Sequence, residues 1–259
     1  MFSMLRSLFG RTSVKSPAKS RVRNRGAGSL PGLETLESRL TPSAVTENQV
    51  VNLFRVFLDR VPHSSGLSSW SRALDSGRIS VAQLAEQLLQ STEYGERVVR
   101  EAFSDYLGRA PGAGGLASYV SALGHGVSQE RLDASILGST EYFAKQGGGN
   151  IPFVQSLYSK VLGRNADAAG LEGHVAQLVL GASRTQVAYA FLSSAEHGRQ
   201  VTREAYHSIF GREPRALEIY AWSGLYSRSA NGSRAVWTGV AASSEGTGSS
   251  DPAWSPIIP

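Results

Sequence analysis

Arginine and glutamate recur in this chain at matched positions, a combination that can bind charged ligands or fasten helices to one another. Arg60, Arg109, Arg164 and Arg212 each fall in a first signature, and Glu93, Glu141, Glu196 and Glu245 each fall in a second one downstream. The arginines lie 49, 55 and 48 residues apart, so whatever they do is done once per unit of about fifty residues. A group required in every unit is read as part of the fold. A guanidinium donating two parallel hydrogen bonds to a carboxylate would tie the end of each unit's first helix to the start of its fourth. The competing reading makes the same eight residues ligand-binding charges.

Other chemistries fail on residue type or spacing. Cysteine is absent, which removes thiolate metal sites, disulfides and Cys nucleophiles. Of the five histidines, His174 stands where other units carry Trp70 and Tyr119, and His197 where they carry Tyr94 and Tyr142, so both read as packing residues. No H-E-x-x-H, G-x-x-x-x-G-K or G-x-S-x-G spacing occurs. The GAGG stretch at 112–115 is a turn between helices, and Asp167 is a lone carboxylate without calcium-loop spacing. A glycosidase would need two carboxylates across a cleft, and no pair is singled out by position. No catalytic, cofactor-binding or metal-binding residue is assigned, and no cofactor is expected.

The elements that would position the repeated charges follow from hydrophobic period. Val50, Val51, Phe54, Phe57 and Leu58 are spaced for an amphipathic helix over 47–60. A turn at Pro62 leads to a short helix with Leu67, Trp70 and Leu74, stopped by Gly77. Ser80 and Gln83 then form a capping box, repeated by Ser183 and Gln186. Ser91 or Thr92 opens a fourth helix that runs into the first helix of the next unit. The segments 53–70, 102–119, 157–174 and 205–222 align without a gap. The fold class expected is therefore all-α: tandem helical repeats of about fifty residues, four units, packed as two pairs. The glycines at 147–149 with Pro152 must break the connecting helix. They suggest a hinge, with units one and two over 46–147 and units three and four over 151–246. Unit four departs by carrying Glu218 where the others carry Gly66, Gly115 and Gly170.

The first signature, of the form L-G-R-x-P with G-L and an aromatic following, and the second, S-x-E-Y, together resemble the DUF4214 domain. That is a bacterial all-helical repeat of unknown function found in extracellular and surface-layer-associated proteins. The pattern is more distantly similar to the linker domain of phycobilisome rods, which holds other proteins together. The resemblance covers about residues 46–246 and implies no catalytic residue. The segment 33–43, LETLESRLTPS, resembles the LE-x-LE-x-R-x-x-P motif that follows a basic leader on large surface and secreted proteins of planctomycete bacteria.

Residues 1–30 carry seven basic residues and no acid, whereas the whole chain has a net charge of +5, so the body is mildly acidic. Residues 1–45 are expected to be a disordered basic leader with a targeting-like motif, and 247–259 a disordered tail. The longest unbroken apolar run, 187–192, is too short to span a bilayer. These readings point to a non-catalytic interaction or structural module of the bacterial cell envelope or extracellular space. Its partners would be other envelope or extracellular proteins, with no specific nucleic acid. The alternatives are a hydrolase of envelope polysaccharide and a nucleic-acid binder acting through the basic tail.

Overall fold

A computed structural model describes residues 43–243. The basic leader, the LETLESRLTPS motif up to its last residue, Glu245 and the C-terminal tail lie outside the described residues; Ser43 caps the first helix. Within them every regular element is a helix and there is no strand.

Each first signature ends one helix, and two more follow it. In unit one these are α1 (Ala44–Leu58), α2 (Ser64–Asp75) and α3 (Val81–Leu89). Unit two has α4 (Thr92–Ala102) continued by a π-helical turn (Phe103–Leu107), then α5 (Ala113–Gly124) and α6 (Gln129–Leu137). In the third unit the leading helix is split into α7 (Thr140–Lys145) and α8 (Asn150–Val161), followed by α9 (Ala168–Val179) and α10 (Arg184–Leu192). The fourth has α11 (Ala195–Phe210), α12 (Ala216–Arg228) and α13 (Gly232–Ala242).

Local chemistry sets these boundaries. The residue before each signature arginine is left-handed, with φ of 69° at Gly108, 63° at Gly163 and 65° at Gly211. Glycine adopts this without a Cβ clash. Unit one does the same with Asp59 at φ 52°, the lone positive-φ residue other than glycine among those described. Ser91, Ser139 and Ser194 each accept the backbone N–H three residues on, opening α4, α7 and α11. Both capping boxes form, at Ser80 with Gln83 and at Ser183 with Gln186. The expected break is at Gly147 and Gly148, both at positive φ, between α7 and α8.

The cores do not follow the pairing expected from that break, 46–147 and 151–246. One core joins Leu53 and Phe57 of α1 and Leu84 of α3 to Tyr206, Tyr226 and Val240 of unit four. A second joins Leu137 of α6 to Phe153, Leu157 and Phe191 of unit three, and a smaller third, with Val99, Phe103, Leu132 and Ile136, lies within unit two. Unit one therefore packs on unit four, and unit two on unit three, with α3 against α13 and α6 against α10. Exchanging the two halves of the chain maps each of these contacts onto the other. A glycine break permits the chain to turn, but apolar area decides what it packs on, at roughly 25 cal/mol per Å² buried.

Candidate functional site

Two constellations of charge emerge, one repeated and one not. In the repeated one, Arg60 donates from Nε and Nη2 to the two carboxylate oxygens of Glu93, at 2.5 and 2.8 Å. Arg109 holds Glu141 at 2.6 and 2.6 Å, and Arg164 holds Glu196 at 2.5 and 3.1 Å, in the same way. The remaining nitrogen, Nη1, donates in each case to the carbonyl of the next residue. Each guanidinium also lies over an aromatic ring one and two-thirds turns earlier: Phe54, Phe103 and Tyr158, at 5.2, 5.2 and 4.8 Å. The hydrogen bond to arginine lowers the pKa of Glu93, Glu141 and Glu196. Nε, Nη1 and Nη2 each donate within the protein, so the clasp engages every nitrogen of the guanidinium while its outer edge stays exposed.

The fourth clasp is built differently. Arg212 stacks over Tyr206 at 4.8 Å and donates to Glu218 at 3.1 and 2.9 Å. Glu218 comes from the first turn of the following helix, where the other units have glycine, and it also accepts the Arg215 N–H at 2.6 Å. Glu245 lies outside the described residues.

The unrepeated constellation is a cleft of about 310 Å³ between α4 with its π-turn and α11, walled by α6 and α13. Thr92–Leu107 and Ala195–Phe210 are equivalent in the repeat, so Glu101 and Glu204 hold corresponding positions, and both stand at its exposed edge. The π-turn adds Asp105 and Tyr106 to the lining. A π-helical turn inserts an extra residue into the helix and re-aims its side chains.

On the α6 wall, Glu130 and Asp133 are only 4% and 7% exposed. Glu130 accepts the Ser233 N–H at 2.7 Å, placing a carboxylate on the N-terminus of α13. Asp133 Oδ1 is buried without a hydrogen-bond partner. Burial, reinforced by Glu130 and Asp105, pushes the Asp133 carboxyl up to about 8, so at neutral pH it keeps its proton. Glu204 is raised as well, by the protein around it and then by Glu101, with Arg97 opposing.

The cations nearby do not neutralise this hollow. Arg97 Nη1 donates to Glu101 at 2.9 Å and its guanidinium lies over Tyr94 at 5.5 Å. Burial lowers the pKa of His197, whose Nδ1 lies 3.1 Å from the Val161 carbonyl oxygen. Among the described residues no three His, Asp or Glu converge closely enough to hold a metal ion. An adjoining cleft of about 460 Å³ shares Tyr94, Val98 and Gln129 and has no acid in its lining.

The sequence model of the family described as a domain of unknown function (DUF4214) matches residues 34–98 and 133–201, more than half of the chain. The protein belongs to the DUF4214 family. Nothing among curated proteins or solved structures matches it. Both DUF4214 segments end inside the helix that carries the second signature, α4 and α11. They include the Arg60–Glu93 and Arg164–Glu196 clasps whole. His174 and His197 are packed aromatics in this DUF4214 fold: His174 lies 4.5 Å from the Phe191 ring and His197 5.9 Å from the Tyr226 ring.

Sequence reasoning missed Glu218 as the partner of Arg212, and it missed the cleft. A signal for the cleft was present. Aligning the third helices on their capping serines, Ser80, Ser128 and Ser183, puts Asp133 in line with Ala85 and Ala188. Both alanines are fully buried, at 0% exposure, so an acid in that column is an anomaly with a chemical reason to be sought.

Proposed function

We propose that this DUF4214 protein is a non-catalytic interaction module of the bacterial cell envelope or extracellular space. The observation that carries the reading is an unpartnered apolar pair on α12. Leu217 and Tyr220, one helical turn apart, are 76% and 81% exposed while the repeated charges are occupied in internal clasps. An exposed aromatic beside a leucine is the kind of anchor that protein interfaces use. The LETLESRLTPS segment supports the location by resemblance. No helix among the described residues is long and apolar enough to cross a membrane.

Fractionation of the native host with a photo-crosslinking residue at Leu217 tests both halves of the reading. A discrete adduct recovered from the envelope or medium is the expected result. Full-length protein in the cytosol without an adduct would overturn it and turn attention to the basic leader and nucleic acid.

One observation favours a second reading, a hydrolase of envelope polysaccharide: the carboxylates of the cleft converge, and one of them is protonated at neutral pH. A general acid must touch the leaving oxygen, and Asp133 presents one oxygen that is sealed from solvent. Appearance of reducing ends from purified envelope polysaccharide, lost in Asp133→Asn, would replace the first reading with this one.

A further inference from the structure

The acidic cleft is an electrostatic arrangement that lacks one component. Asp105, Glu130, Asp133 and Glu204 line it beside one guanidinium, Arg97, whose Nη1 is held by Glu101 and whose Nε is buried without a partner, so the acids still outnumber the cation. Like charges gathered in a partly enclosed space repel one another and are screened less than on an open surface. Asp133 is the most constrained of these acids: it is more than nine-tenths buried, and one of its oxygens has no partner. A carboxyl oxygen sealed into a protein without a hydrogen bond is costly to retain. The position offers a simple alternative, since the corresponding residues Ala85 and Ala188 pack there without polarity.

We propose that this cleft binds an organic ammonium cation. A cation entering between α4 and α11 supplies the missing positive charge to Asp133 through space, without needing the direct contact that proton transfer demands. The lining favours an organic cation over a metal ion. Tyr106 and Trp237 contribute aromatic rings, which attract ammonium groups, and no metal-sized triad of ligands is formed among the described residues. The corresponding carboxylates Glu101 and Glu204, one on each long wall, suit a chain carrying more than one ammonium. The site exists only in the nested fold, because residues 101 and 204 belong to different halves of the chain. It does not depend on the apolar pair of α12 or on the cellular location of the protein.

Binding should move a proton. The carboxyl of Asp133, neutral in the empty cleft at pH 7, ionises beside a cation and releases its proton to solvent. The other titratable groups facing it are Tyr94, Arg97, Glu101, Asp105 and Tyr106 from α4 and its turn, Glu130 from α6, and His197 and Glu204 from α11. The lining residues of α1 and α13, among them Phe57, Ser233 and Trp237, do not titrate in this range.

The test is calorimetric titration of the full-length protein at pH 7 and about 0.15 M salt, where loosely held surface ions are screened, in buffers of different ionisation enthalpy. The probes are spermidine, 1,5-diaminopentane and Nα-acetyl-lysine methylamide. Saturable binding of any of them, with release of about one proton, is the expected result. Tighter binding of the two free amines identifies a small-molecule ligand. Tighter binding of the lysine derivative identifies a side chain presented by a partner. Asp133→Asn should abolish the proton release and weaken binding at least tenfold, and Glu204→Gln at the edge should weaken it about threefold while leaving the interior untouched. Three outcomes overturn the proposal: no saturable binding, equal affinity and proton release in Asp133→Asn, or the same response to calcium chloride.

Discussion

The two faces of α6 can be set side by side. One face, with Leu132 and Ile136, is dry and closes on neighbouring helices. The other carries Glu130 and Asp133 into a cleft with three further acids. The dry face follows the repeat: Leu84 in α3 and Val187 in α10 occupy the position of Leu132, and all are buried. The acidic face departs from it, with Asp133 in a column of alanines. The residues these three units share hold the fold together, and the residue that breaks the column lies in the cleft lined by both halves of the chain.

The largest effect is expected from breaking the contact of α6 with α10. Gly138 ends α6 so close to the start of α10 that a Cβ built on it would come 2.6 Å from the backbone N and Cα of Thr185. No rotamer change relieves a clash with backbone, so Gly138→Ala should cost about 3 kcal/mol, read as a lower urea midpoint. An unchanged midpoint would mean that α6 and α10 are not tightly apposed.

Next comes the acidic face, with the opposite sign. The folded protein holds the Asp133 proton up to about pH 8, whereas the unfolded chain releases it near the ordinary value of 3.8. Between those limits folding takes up a proton, so stability falls as pH rises, and above pH 8 the loss is complete. Glu204 contributes in the same direction. Asp133→Asn removes the proton uptake and should stabilise the protein at pH 7.5 by on the order of 2 kcal/mol, with the difference vanishing near pH 4. Urea midpoints of both proteins at pH 4, 6 and 7.5 decide it; a variant less stable at every pH would show that the carboxyl is tied into the fold after all.

Much of this was legible in the sequence because it is local. The helices follow from apolar spacing, their starts from Ser80, Ser91 and Ser183, and their ends from Gly108, Gly163 and Gly211 before each arginine. The glycine break before α8 was legible for the same reason. The nested pairing was not, since nothing in α3 taken alone says that α13 rather than α6 will cover it. The cleft depends on that pairing, so Glu101 and Glu204 could not be seen to face one another. Glu218 was noticed as a departure from glycine, but only the turn of α12 shows its carboxylate pointing back to Arg212.

The smallest effects sharpen a comparison within the repeated charges. The first clasp is open to water, with Arg60 and Glu93 side chains 39% and 46% exposed, whereas the Glu218 side chain of the fourth is 9% exposed. Burial opposes ionisation of Glu218 most strongly, yet Arg212 and the Arg215 N–H bring its pKa below the ordinary carboxylate value. Its stabilisation is therefore present above about pH 4.5 and lost as the carboxylate is protonated below it. Glu218→Ala also removes the acceptor for the Arg215 N–H and should cost about 1–2 kcal/mol. Glu93→Ala removes a solvent-screened pair and should cost about 0.5 kcal/mol, a difference that 1 M salt should erase. Parallel urea titrations at low and high salt test the contrast. If Glu93→Ala were as damaging as Glu218→Ala and insensitive to salt, the exposed clasps would be acting through the stacking of arginine on its ring rather than through the ion pair. Phe54→Leu would then reproduce the loss.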